Sequence, residues 1–105
     1  MKDFRKMVQE TREAQKAFRA NTRNDILRKR AISAEAEVDA FLKRHLRENE
    51  KGSFKWKVKD MRDMQKLFFS RKRSDIVKKL LGMAEKEVDK ELVTHLATIE
   101  QPKLF

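Results

Sequence analysis

An internal repeat constrains this chain more than any other feature. Residues 62–96, RDMQKLFFSRKRSDIVKKLLGMAEKEVDKELVTHL, restate residues 12–46, REAQKAFRANTRNDILRKRAISAEAEVDAFLKRHL, fifty positions on and without a gap. Extended back to Phe4 and Phe54, 18 of the 43 aligned positions are identical. Self-similarity at a fixed offset means one supersecondary unit used twice, so the fold of the unit decides the fold of the chain.

The apolar spacing inside the unit is helical. Phe4, Val8, Thr11, Gln15 and Phe18 step by four and three, which sets all five on one helix face, and the second copy repeats them as Phe54, Val58, Met61, Gln65 and Phe68. A second stripe follows: Ile26, Leu27, Ala31, Ala34, Val38, Leu42 and Leu46, with Phe41 at its edge. Its counterpart is Ile76, Val77, Leu81, Ala84, Val88, Leu92 and Leu96. With 42 % charged residues, two glycines, one proline and no tyrosine, long amphipathic helices fit better than strands.

Between the stripes lie ANTRN, residues 20–24, and SRKRS, residues 70–74. Neither contains Gly or Pro, so a single uninterrupted helix competes with a turn. Asn24 and Ser74 favour the turn, because each can cap a new helix through its side-chain oxygen. Asp25 and Asp75 then place a carboxylate at the positive helix end. Helices are expected over 2–19 and 25–47 and again in the second copy, each pair closing into an antiparallel hairpin. The connecting ENEKGS, residues 48–53, holds Gly52 for the turn and Ser53 as a cap. The expected fold is all-α: hairpins over 1–47 and 54–100, forming a four-helix bundle within one domain of residues 1–105.

A turn centred near Asn21–Thr22 sets Arg12 opposite Glu35 and Arg5 opposite Asp39, with Arg62–Glu85 and Lys55–Asp89 as the matching pairs. These are expected as partly exposed ion pairs worth about 0–1 kcal/mol each. Gln15 and Gln65 on the apolar stripes read as buried polar residues that set helix register. Gly82, inside a helix where the first copy has Ile32, should cost about 1 kcal/mol against alanine unless a close helix approach or a bend compensates. The copies also differ where Ala14, Ala17 and Ser33 become Met64, Leu67 and Met83. That broader apolar surface either packs on the first hairpin or serves self-association or a partner.

Little in the sequence points to catalysis. The absence of cysteine excludes disulfides, thiolate metal sites and a cysteine nucleophile. No P-loop, Gly-rich dinucleotide loop or nucleophile elbow occurs. His45 and His95 stand at equivalent sites late in the second helix of each copy, where a residue facing the negative helix end is the simpler reading than a metal ligand. Glu35, Glu37 and Asp39, with Glu85, Glu87 and Asp89, read as a solvated ion-pairing face. No catalytic residue, metal or cofactor is expected. No apolar run reaches signal-peptide or membrane-spanning length, so a cytoplasmic protein without membrane insertion is expected, with QPKLF a frayed tail.

Charge placement points to a partner class. The net charge is +10, and residues 16–30 and 66–80 each hold six basic residues and one acid, so these two windows carry all of it. The expected nucleic-acid-binding residues are Arg19, Arg23, Arg28, Lys29 and Arg30 in the first turn region and Arg71, Lys72, Arg73, Lys78 and Lys79 in the second. Depending on how the hairpins stack, the clusters form one pole or two separate ends. Asp25 and Asp75 count against an anion site there, whereas Phe69 and Trp56 could stack on bases. With no DNA-reading motif, binding would be led by the phosphate backbone and weakly sequence-specific. The alternative is an interaction or structural module docking on an acidic protein surface through Trp56, Met64, Leu67, Phe69 and Met83.

The stretch MRDMQKLFFSRKRSDIVKK…EKEVDKEL resembles small helical proteins of phages and mobile elements in gut bacteria, which share an M-R-x-x-Q-K-x-F-F-x-x-R run followed by V-D-x-x-L. The resemblance covers Met61–Leu92 well and Thr11–Leu42 with departures, Thr11 for the Met and Arg19 for the second Phe. That group brings no transferable activity. The resemblance implies a setting in which small basic proteins serve as virion components, nucleic-acid binders or inhibitors of host machinery.

Overall fold

The computed structural model describes residues 3–70 and 74–100, the last six of these by backbone alone. Four α-helices appear among the described residues: α1 (Phe4–Ala20), α2 (Asp25–His45), α3 (Phe54–Ser70) and α4 (Asp75–Glu100), with a single 3-10 turn at Glu48–Glu50. The chain divides into two compact units, Met1–Asn49 and Glu50–Phe105, and the division falls inside the ENEKGS linker. In the first unit α1 packs on α2, and in the second α3 packs on α4. The fold is all-α, built from two helical hairpins.

Local chemistry sets the helix ends of the first unit. Asp3 precedes α1 and its Oδ1 accepts from Arg5 N at 3.3 Å. The helix closes with Asn21 N donating to the Phe18 carbonyl at 3.0 Å. Three residues later Asn24 starts α2, its Oδ1 accepting from Leu27 N at 3.0 Å. The Asp3 and Asn24 bonds each satisfy a backbone amide that the helix leaves open at its start, and the Asn21 bond satisfies a carbonyl left open at its end. The last turn of α2 carries Lys43 and Arg44, cations suited to the negative helix end, and His45. The His45 ring is itself exposed and lies 4.4 Å from that of Phe41, which in turn stacks on Phe4 at 4.5 Å.

The first core is Phe4, Val8, Ala14, Ala31, Val38 and Leu42, joined by Thr11. Thr11 Oγ1 donates to the Met7 carbonyl at 2.8 Å and stands 3.2 Å from the Ala34 carbonyl across the hairpin. The second contact ties α1 to α2 and shows the register: residues 11 and 34 are opposed. Ile26, expected on the buried stripe, is 79 % exposed, and its counterpart Ile76 is 73 % exposed. Adjacent residues differ by 100° around a helix, so only one of each pair can face inward. Leu27 is half-buried and Val77 buried; the isoleucines point away.

The second core is Val58, Met61, Val77, Leu81, Val88 and Leu92. Ser74 caps α4 as expected, its Oγ accepting from Val77 N at 3.2 Å. Ser53 departs from expectation. Its carbonyl accepts from Lys57 N at 3.1 Å, but its hydroxyl is buried without a hydrogen-bond partner and caps nothing. Gly52 has φ +91°, a left-handed turn conformation that a Cβ disfavours. Gly82 needs no such freedom, and a Cβ added there would meet nothing within 4 Å. Of the two compensations considered for Gly82, a close helix approach is therefore absent among the described residues, and nothing in them explains the glycine.

Each hairpin is pinned by one buried polar chain. In the first, Arg12 Nη1 donates to Gln15 Oε1 at 2.6 Å and Gln15 Nε2 donates to Glu35 Oε2 at 2.7 Å. In the second, Arg62 Nη1 donates to Gln65 Oε1 at 2.6 Å and Gln65 Nε2 to Glu85 Oε2 at 2.7 Å. A glutamine suits this position because its amide both accepts from a cation and donates to an anion. For Arg12–Glu35 and Arg62–Glu85 the expectation of partial exposure is corrected: Arg12, Arg62 and Glu85 are buried, Glu85 to 9 % exposure, and only Glu35 keeps partial solvent contact, whereas Arg5, Asp39, Lys55 and Asp89 are each partly exposed. Burial is tolerated because the bridging amide joins the two charges, whereas an unpaired charge there would cost several kcal/mol. The reading of Gln15 and Gln65 as register-setting residues holds.

Candidate functional site

The turn end of the first hairpin gathers the sequence-selected cations. Lys16 and Arg19 lie in the last turns of α1, Arg23 lies in the connection, and Arg28, Lys29 and Arg30 lie in the first turns of α2; all six are exposed. Helix geometry sets the spacing. At 1.5 Å per residue, six residues before or after the turn stay within about 9 Å of it along the helix axis. An αα-hairpin therefore turns one contiguous basic window into one basic tip.

Asp25 modifies that tip. Its Oδ1 accepts from Arg28 Nη2 at 3.0 Å and Nε at 3.2 Å, and its Oδ2 stands 3.2 Å from Lys29 Nζ. The bond from Arg28, then that from Lys29, holds the Asp25 carboxyl below its ordinary range. Two of the expected phosphate-binding cations are thus shared with a carboxylate, the objection raised by the sequence. Arg23 and Arg30 are the tip cations with no ion pair to a described residue.

The second tip is described in part. Arg71, Lys72 and Arg73 lie outside the described residues. Lys78 and Lys79 are exposed on the first turns of α4 and make no ion pair with a described residue. His95 belongs to the backbone-only stretch, so its side chain also lies outside.

The expected partner-binding residues are dispersed. Trp56 is half-buried, with Lys51 Nζ 5.7 Å from its ring centroid. Met64 and Leu67 are half-buried on α3. Phe69, which follows Phe68 with its ring edge-on at 5.1 Å, is exposed, and so is Met83.

Two features escaped the sequence reading. Lys57 Nζ donates to Glu87 Oε1 at 3.0 Å and Glu91 Oε1 at 2.6 Å, clamping α3 to α4. These bonds, from Glu91 first and then Glu87, raise the Lys57 ammonium above its ordinary range. Glu85 is buried and Glu87 is clamped, so the carboxylates of α4 are not simply a solvated face. The second missed feature is an exposed row on α4, Ile76, Leu80 and Met83, beside exposed Lys79, Lys86 and Lys90. Spacings of four and three in the apolar row, and seven and four in the lysines, were the available signal.

No three His, Asp or Glu side chains gather among the described residues in a way that could hold a metal ion. No helix among them is long and apolar enough to cross a membrane. No family model, curated protein or solved structure matches the chain.

Proposed function

We propose that this protein binds nucleic acid without catalysis, through the basic turn end of each hairpin, by contacts to the phosphate backbone and with weak sequence preference. The observation that carries the reading is the charge distribution. Two turn windows hold the whole net charge of +10, and every described basic residue in them is exposed. Surface cations left in water gain by displacing the condensed counterions of a polyphosphate. Concentrated at a tip, they also raise the local potential and steer association. Arg23 and Arg30 are the first cations available to a phosphate; Arg28 and Lys29 join by exchanging Asp25 for it.

Fluorescence anisotropy of labelled DNA and RNA with the full chain, across a salt series, tests the reading. A tip engaging about five phosphates of a duplex gives a slope of about −4.5 in log K against log salt. Arg23→Glu with Arg30→Glu should flatten that slope and weaken binding at every salt concentration. So should Arg71→Glu, Arg73→Glu and Lys78→Glu in the second window. Absence of saturable binding at low salt rejects the proposal.

A further inference from the structure

We infer that the outer face of α4 is a docking site for an amphipathic helix bearing a row of carboxylates along one edge. The face begins with Ile76, Leu80 and Met83, which are 73 %, 45 % and 59 % exposed. Spacings of four and three align them along one line of the helix, the pattern of a seam that meets another helix. On one side of this line Lys79, Lys86 and Lys90 form an exposed row without ion pairs to described residues. On the other side Ala84, Glu87 and Glu91 share a flank by their spacing of three and four. Lys57 bonds to both glutamates, so this flank is the one turned toward α3.

The first hairpin shows that the unit does not require such a face. Where the second copy has Leu80 and Met83, the first has Arg30 and Ser33, both exposed. Five buried positions of the core beneath are equivalent in the two copies: Val8 and Val58, Thr11 and Met61, Ala31 and Leu81, Val38 and Val88, Leu42 and Leu92. The apolar row is therefore not needed by the hairpin it sits on, and an apolar line left in water favours whatever covers it.

Charge selects the occupant. Apolar contact alone would accept any greasy helix, but the lysine row, which makes no ion pair with a described residue, repels a basic edge and attracts an acidic one. A second copy of this chain fits poorly. An antiparallel two-fold pairing of α4 with itself would bring the two lysine rows together. A parallel pairing would offer each row Glu87 and Glu91, which Lys57 already holds. A helix with its own carboxylate row satisfies both halves of the face. Met83, on the line and exposed, supplies adaptable contact surface.

The test uses the full chain and two labelled three-heptad helical peptides with the same leucine seam, one edged with glutamate and the other with lysine. Saturable binding of the glutamate-edged peptide, at least tenfold tighter than the lysine-edged one, is expected by fluorescence anisotropy. Leu80→Arg with Met83→Ser, the residues of the first copy, should weaken it at least tenfold. That variant adds positive charge, so a merely electrostatic attraction would strengthen instead and overturn the proposal. Lys86→Glu with Lys90→Glu should reverse the preference between the peptides. Lys86 and Lys90 lie outside the charged turn windows, so DNA binding should persist in Lys86→Glu with Lys90→Glu and the two readings fail separately. Circular dichroism confirms that each variant folds. Equal binding of both peptides, no binding of either, or a dimer in sedimentation that Leu80→Arg with Met83→Ser dissociates would each overturn the assignment.

Discussion

The two hairpins keep one interior and present two exteriors. Arg12–Gln15–Glu35 and Arg62–Gln65–Glu85 have matching bond lengths of 2.6 and 2.7 Å in both copies. The surfaces around them have diverged: Arg19 against Phe69, Arg30 against Leu80, Ser33 against Met83. A buried polar chain resists change because each member leaves a charge or amide unsatisfied when removed, whereas an exposed helix position tolerates almost any residue. The repeat therefore separates what the hairpin needs in order to form from what each copy is free to use.

The largest expected effect tests the shared interior. Glu85→Ala leaves the Arg62 guanidinium buried without its anion and should cost about 3 kcal/mol or more. Glu35→Ala should cost less, because the Glu35 carboxylate is partly solvated before its removal whereas Glu85 is buried. Urea unfolding of the two variants measures the difference. Equal costs would mean that the burial of the carboxylate does not set the cost of losing it.

The capping residues come next. Asn24 and Ser74 each accept one otherwise open amide, at 3.0 and 3.2 Å. Asn24→Ala and Ser74→Ala should each lower stability by about 1 kcal/mol in the same unfolding measurement. A neutral result at Ser74 alone would show that α4 starts independently of its cap.

The glycines give a prediction of opposite signs. Gly82→Ala fills open space in a helix and should stabilise by up to about 1 kcal/mol. Gly52→Ala, at φ +91°, should destabilise by roughly 1 kcal/mol. Thermal melting of both variants reads the signs. Loss of stability on Gly82→Ala would mean that α4 needs a bend there.

Much of this was legible in the sequence because it is local. The period of four and three, the caps Asn24 and Ser74 and the glycine at 52 depend on near neighbours, and the helix limits agree with them to within a few residues. What escaped depends on helix phase or on third parties. Ile26 or Leu27 could each have led the inner stripe, and only the packed hairpin decides. Arg12 and Glu35 were recognised as opposed, but their burial follows from Gln15 reaching both, a bridge that pairwise register cannot show. The basic windows were visible as charge; the capture of Arg28 and Lys29 by Asp25 is an i,i+3 and i,i+4 geometry that had been weighed only as a general objection.

That capture sets the smallest expected effect, and it differs between the tips. Asp25 holds Arg28 and Lys29, whereas Lys78 and Lys79 make no ion pair with a described residue. Asp25→Asn should therefore release two cations and tighten DNA binding about twofold at low salt, since exposed pairs of this kind are weak. Asp75→Asn removes a charge without releasing a described pair and should have the smaller effect. Stability moves the other way. Because the Asp25 carboxyl titrates below its ordinary value of 3.8, its contribution is complete above that pH and is lost as the pH falls through the lower folded value. Melting curves of Asp25→Asn should lack that part of the acid loss while starting from a slightly lower plateau at neutral pH. If Asp25→Asn and Asp75→Asn tightened DNA binding equally, the ion pairs at the first tip would be irrelevant to binding, and only net charge would matter.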